Sequence, residues 1–206
     1  GPEIEFFVFD SVTWDVFNPF TSSFKITSRE SALETRGTNF PIRFKEGYYP
    51  APPVDTLMDY RSECVTDLWE GFGIPCNAHH HEVATAGQCE IDMYRDTLVA
   101  MGDNVVTYKY VTKNVAQKRG MIASTMPKPI FGDNAVGMHV ASSLWKGERN
   151  AFFDANDDYA EVSLSSSPDN WGPLAAPAST VYSRGTPPAV LDDVVVLPFN
   201  YAEQAV

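Results

Sequence analysis

Cysteine, basic charge and long apolar runs are all scarce in this 206-residue chain, and each scarcity closes off a class of protein. The three cysteines, Cys64, Cys76 and Cys89, lie twelve and thirteen positions apart. That spacing fits no zinc module, and the odd count argues against a disulfide framework. A reducing, cytoplasmic compartment is therefore expected. Lys and Arg number 15 against 27 Asp and Glu, a net charge of −12. No nucleic acid is expected as a partner, because phosphate binding needs a basic footprint. Docking to an anionic membrane fails for the same reason. No apolar run approaches the roughly 20 residues of a membrane-spanning helix. No basic segment followed by an apolar stretch marks a signal peptide. The first residue is Gly1 rather than Met, as in a processed, cloned or incomplete product. Signatures of a nucleophile elbow, a phosphate-binding P-loop and a helical zinc protease are also missing.

Hydrophobic residues make up 44% of the chain, enough for a packed core and too many for disorder throughout. Charge is unevenly spread. Residues 1–150 hold 14 basic and 19 acidic side chains, whereas residues 151–206 hold one basic residue, Arg184, and eight acidic ones. The second stretch is also rich in proline and carries a serine cluster at 163–167. A division follows, with a folded domain over residues 1–153 and an acidic tail of loop or disorder over 154–206. Within the tail, Val194–Leu197 is a strand candidate. In the domain, period-two patterning predicts a strand over Glu3–Asp10, with Glu3, Glu5, Phe7 and Phe9 on one face. A helix is expected from an N-cap at Asp55 to Gly71 and Gly73, with Leu57, Arg61, Cys64, Val65, Leu68 and Phe72 as its stripe. Strands over Ala78–Val83 and Gln88–Tyr94 flank a tight link at 84–87. A long helix over Asp96–Arg119, with Leu98, Met101, Val105, Tyr108 and Val115 inward, ends at Gly120. Met121–Met126 and Gly137–Leu144 are further strand candidates. Elements of both kinds without a regular alternation predict an α+β fold with an antiparallel sheet.

Three clusters carry chemistry. Glu3 and Glu5 stand about 7 Å apart on one strand face. The stripe continues into phenylalanines that should be buried, and buried acids need a partner, of which a cation is the simplest. The second cluster is His79-His80-His81-Glu82 followed by Glu90 and Asp92. Adjacent histidines on a strand alternate faces and cannot share one ion, so carboxylates dominate, which favours Mg²⁺ or Mn²⁺ over zinc. The third is a turn, Gly132-Asp133-Asn134, leading to His139. Taken singly, the clusters also read as a solvated strand face, a polar hairpin with its charges in water, and a turn followed by a core histidine. Together the clusters suggest a carboxylate-rich divalent-metal site suited to phosphate chemistry.

Gly1-Pro2-Glu3-Ile4-Glu5-Phe6-Phe7-Val8-Phe9-Asp10 resembles the opening of the catalytic domain of bacterial-type (type I) glutamine synthetase. Gly47-Tyr48-Tyr49-Pro50 with Pro53-Val54-Asp55, then His80-His81-Glu82-Val83-Ala84-Thr85-Ala86-Gly87-Gln88-Cys89-Glu90, then Lys128-Pro129-Ile130-Phe131-Gly132-Asp133-Asn134 and Gly137-Met138-His139 follow in the family's order. The resemblance implies a curved antiparallel sheet flanked by helices, and a ligase that makes glutamine from glutamate and ammonia with ATP, through a γ-glutamyl phosphate. It implies Mg²⁺ or Mn²⁺ ions, one on Glu5, Glu82 and Glu90 and a second on Glu3 and His139. It places Asn134 and Gly137 at the glutamate substrate and Ser143 at the nucleotide. It also implies a ring-shaped homo-oligomer.

Some positions depart from the family pattern. Ala135-Val136 stands where the family has Gly-Ser, which would strain the chain if that position required positive φ. Ala141 replaces a nucleotide-contacting histidine, and Asn77 a glutamate. The resemblance covers only the central part of the catalytic domain, so the isolated chain is expected to be inactive, to fold marginally and to expose the Phe-rich strand at residues 6–9. A metal- or nucleotide-binding remnant without catalysis, a lens-type scaffold protein and a γ-glutamyl ligase acting on another amine are the alternatives. Codons for Trp171–Pro177 read one base later can encode the family's Gly-Gly-Leu-Leu segment. A frameshift near residues 160–170 is the expected origin of the tail.

Overall fold

The computed structural model describes residues 1–18, 20–31, 41–141, 145–150, 190–191 and 194–195. They fall into two units, Gly1–Gly137 and Met138–Gln204. Of the expected tail, only the four residues of one ribbon are among them.

The first unit is built on an antiparallel sheet in the order β4-β5-β1-β6. Its strands are β1 (Pro2–Phe9), β4 (Cys76–His81), β5 (Gln88–Met93) and β6 (Ile122–Ser124). A separate hairpin pairs β2 (Ser11–Asp15) with β3 (Ser23–Thr27). Two helices follow the sequence periodicity, α1 (Met58–Thr66) and α2 (Leu98–Lys118). An α+β fold with an antiparallel sheet is thus what the chain adopts.

β1 lies between β5 and β6 and is buried on both faces. On one face Phe6 meets Tyr60 of α1 and Tyr108 of α2, with ring centroids 6.1 and 5.9 Å away. Two buried phenols are satisfied there: Tyr108 Oη donates to the Ile4 carbonyl at 2.8 Å, and Tyr60 Oη to that of Thr112 at 2.7 Å. On the other face Phe7 and Phe9 stack at 5.5 Å and join Ala84, Ala86 and Val136 in a small core. The Phe-rich stretch is therefore not the exposed liability expected of it. Exposed apolar surface gathers instead on the β2–β3 hairpin, where Trp14, Phe17, Phe20 and Phe24 face solvent.

Several element ends differ from expectation. The N-cap of α1 is Leu57, not Asp55. Asp55 is drawn inward to Arg61, meeting Nη1 at 3.0 Å and Nη2 at 2.5 Å, and it accepts the Leu57 amide. A buried guanidinium needs a carboxylate more than the helix end needs a cap. α1 passes into a π turn at Asp67–Gly71, which leaves Phe72 exposed while Leu68 stays buried. Leu98, at the first turn of α2, is also exposed. The last strand candidates shorten to Ile122–Ser124 and Met138–Val140.

The link between β4 and β5 needs glycine at two close approaches. Gly87 has φ +84°, and a Cβ there would lie 2.5 Å from the Val8 carbonyl oxygen. A Cβ on Gly47 would lie 2.7 Å from the carbonyl oxygen of Glu82. Both contacts are with backbone, which cannot swing away, so any side chain would displace the strand or link that carries the acids.

In the second unit, β7 (Met138–Val140), a ribbon of β8 (Trp145–Lys146) with β9 (Arg149–Asn150), and a ribbon of β10 (Val190–Leu191) with β11 (Val194–Val195) are described. Val194–Val195 falls on the strand candidate in the tail.

Candidate functional site

Sheet register brings the acids together. Glu5 on β1 stands opposite Glu90 on β5, and Glu90 stands opposite His80 on β4. Residues directly opposite share a face, so three neighbouring strands contribute one polar row. Glu82 follows just after β4 and joins through the link, its amide donating to the Gln88 carbonyl at 2.8 Å. Carboxylate oxygens of Glu5, Glu82 and Glu90 all lie within 4.8 Å of one another. All three side chains are buried, at 8, 7 and 5% exposure.

Like charges this close in a low-dielectric setting oppose ionisation. Burial is the main cause that lifts Glu5 to a pKa of about 8, with Glu82 and Glu90 adding to it and the Gly137 amide opposing. Burial and then Glu90 lift Glu82 to about 7. His80 sits between the acids, with Nδ1 3.3 Å from Glu82 and Nε2 3.4 Å from Glu90. Burial works against its charge, but these carboxylates prevail and raise its pKa to about 9. The ring stacks on Tyr49 at 4.4 Å and meets Tyr48 edge-on. Asp92, raised to about 7 by burial and by Glu90, stands opposite Glu3 and has a buried Oδ1 with no hydrogen-bond partner. His80, Glu90 and Asp92 form a second set of donor atoms within 4.8 Å.

The shell around these acids is fixed by polar residues from distant segments. Gln88 Nε2 donates to Glu5 Oε2 at 2.6 Å and to the Ala135 carbonyl at 2.9 Å, while its Oε1 accepts the Ala84 amide at 2.9 Å. Gly137 donates its amide to the same Glu5 Oε2 at 2.7 Å. Asp133 accepts amides from Lys45, Asn134 and Thr85, tying three loops together. His81 faces away from the acids. Its Nδ1 donates to the Gly47 and Glu82 carbonyls, and its Nε2 lies 2.6 Å from Glu30 Oε2. Burial disfavours the charged ring there, but the Glu30 carboxylate leaves its pKa raised.

Of the residues expected at a site, Glu5, Glu82 and Glu90 converge. Glu3 is half-buried on β1. His139 is half-buried on β7 of the second unit, and Ser143 lies outside the described residues. Asn134 is half-buried in the loop after Gly132, and the Gly137 amide is taken by Glu5. Ala135 is not among the residues of positive φ, so the expected strain at that position does not arise. Asn77 is exposed on β4. Sequence reasoning puts His80 and Asp133 in its clusters, and strand alternation sets His80 on the face of Glu82, but it gives neither a role at the site and passes over Glu30 and the part played by Gln88. Nothing in the sequence pairs Asp133 with Thr85, or Glu30 with His81.

A family model described as glutamine synthetase, catalytic domain, matches residues 1–167. The glutamine synthetase of Sulfolobus acidocaldarius is 55% identical over 165 residues, covering 79% of this chain and 35% of its own length. That of Frankia alni is 48% identical over 162 residues, covering 76% and 34%. Among solved structures, a cryoEM structure of Plasmodium falciparum glutamine synthetase superposes with a TM-score of 0.68 at 28% identity, covering 76% of this chain and 32% of the other. The chain spans about a third of the length of the curated relatives it matches.

Proposed function

The chain belongs to the glutamine synthetase family through that family's catalytic domain, and from that premise we propose that it supplies the metal-binding floor of an ATP-dependent ligase joining glutamate and ammonia. The observation that carries this reading is the trio of buried carboxylates within 4.8 Å. Their donor chemistry fits a hard divalent ion such as Mg²⁺ or Mn²⁺, which prefers oxygen ligands. Without an ion, burial forces protons onto Glu5 and Glu82 near neutral pH. A dication held there would take the place of those protons and balance the carboxylate charge that burial disfavours.

Glu5, Glu82 and Glu90 would hold the ion. Bound there, it would neutralise the transferred phosphoryl group of ATP in forming γ-glutamyl phosphate. The chain's own groups do the rest. Glu5 is aimed by Gln88 and Gly137. His80 holds a proton between Glu82 and Glu90. Asp133 fixes the loop that carries Asn134, placing that amide side chain for the glutamate substrate. Glu3 and His139 are the remaining expected ligands, for a second ion. Each belongs to its own unit, and the reading rests on the first trio alone. Assignment to the bacterial type rests on the motifs at residues 1–10, 47–55, 80–90 and 128–139. Oligomerisation is supported by the aromatic hairpin β2–β3, since Phe17 and Phe20 are more than nine-tenths exposed and call for cover.

Titration of the chain with Mn²⁺, followed by electron paramagnetic resonance, tests the reading. One site is expected, lost in Glu82→Gln. Equal binding by the two chains overturns the assignment.

A further inference from the structure

Gln88 is fully buried, yet its side chain makes contacts in three directions. One is to Glu5, the second to the loop at Ala135, and the third to the link at Ala84. We propose that Gln88 is a positioning residue for the metal site: it selects which oxygen of Glu5 is offered to the ion and ties that choice to the Asn134 loop. This rests on the metal reading given above.

The geometry is specific. Both N–H donors that reach Glu5, from Gln88 at 2.6 Å and from Gly137 at 2.7 Å, fall on Oε2. Neither falls on Oε1, which leaves that oxygen for a cation. Two donors on one oxygen also fix the plane of the carboxylate, as outer-shell partners do around metal ligands. The same Gln88 Nε2 bonds the Ala135 carbonyl, and Glu5 answers through its own amide, which donates to the Gly137 carbonyl at 3.1 Å. Ligand and loop therefore share one closed set of hydrogen bonds. A turn of the Glu5 carboxylate would break its bonds to Gln88 and to Gly137, three residues after Asn134. The Oε1 bond to Ala84 fixes the amide's orientation, because only one flip state gives Ala84 an acceptor and Glu5 a donor. A carboxylate in place of Gln88 would keep the Ala84 contact and turn an acceptor onto Glu5.

Three forms of the full chain test the proposal: unsubstituted, Gln88→Leu and Gln88→Glu. Mn²⁺ affinity is read by electron paramagnetic resonance, folding by metal-free thermal melting, and the loop by hydrogen exchange of the Gly137 amide. Loss of an outer-shell partner weakens metal affinity by about 10–100-fold. Both variants are expected to show that loss and faster exchange at Gly137, with Gln88→Glu the weaker binder. If Gln88→Leu fails to fold, the isosteric Gln88→Glu carries the comparison. A folded variant that binds Mn²⁺ as tightly as the unsubstituted chain overturns the proposal and leaves the metal reading standing. If the unsubstituted chain itself binds no Mn²⁺, the metal reading fails, and this inference with it.

Discussion

The two faces of β1 are made by the same eight residues and obey opposite rules. Ile4, Phe6 and Val8 point to the helices, where every group is apolar or finds a partner. Glu5 points the other way, into a row with Glu90 and His80 that is just as buried but crowded with like charge. The helix face holds the strand in place through packing. The acid face works against stability and is the face proposed to hold the metal. A strand can carry such a burden because its two faces are decoupled by period-two alternation while sharing one backbone. The cost of burying carboxylates is offset by the aromatic contacts behind them.

The largest effect is expected from breaking the helix face. Phe6→Ala removes the ring that meets Tyr60 and Tyr108 and should destabilise the chain by about 3–5 kcal/mol, read by urea unfolding. A loss below 1 kcal/mol would mean that the helix face is not what holds β1.

The next largest comes from titrating the acid face as a whole. Glu5 and Glu82 have folded pKa values of about 8 and 7 against an ordinary 4.5, and His80 about 9 against 6.5. Each group is raised, so the native state holds more protons than the unfolded chain between those limits. Stability in a chelator should therefore fall as pH rises from about 5 to 9. Melting temperatures measured across that range check the sign, and saturating Mn²⁺ should flatten the profile. A melting temperature that climbs with pH in the chelator would contradict the raised carboxylates.

Smaller again is relief of one charge. Glu82, raised to about 7, is ionised at a cost at pH 8, so Glu82→Gln should stabilise the metal-free chain there by about 1–2 kcal/mol, while removing the stabilisation that Mn²⁺ confers. The smallest effect belongs to a single hydrogen bond on the helix face. Tyr108→Phe deletes the donor to the Ile4 carbonyl and should cost about 1 kcal/mol, with Mn²⁺ affinity unchanged. A change in affinity would show that the faces are coupled after all.

Much of this was legible in the residues. Apolar spacing located both helices within a few positions, because a long amphipathic stripe has only one way to be buried. Local signals failed where a distant partner outbid them. Asp55 looks like a helix cap and is instead the partner of Arg61. Leu98 and Phe72 fit their stripes and are exposed, Leu98 at the first turn of its helix and Phe72 just past a π turn. Face alternation along the His79-His80-His81 run rules out one ion shared by all three histidines. That same alternation sends His81 to Glu30 and leaves His80 among the acids.

By itself the sequence determined the α+β class, the strand stripes of Glu5 and Phe7, and the family to which the chain belongs. Those follow from periodicity and from motif order, which are properties of neighbours along the chain. Only the tertiary structure decided that Glu5 stands opposite Glu90, that Gln88 and Gly137 claim the same oxygen, and that Asp133 binds three loops. Strand register and loop contacts are set by residues up to 132 positions apart, and burial, not local preference, fixes which of them meet.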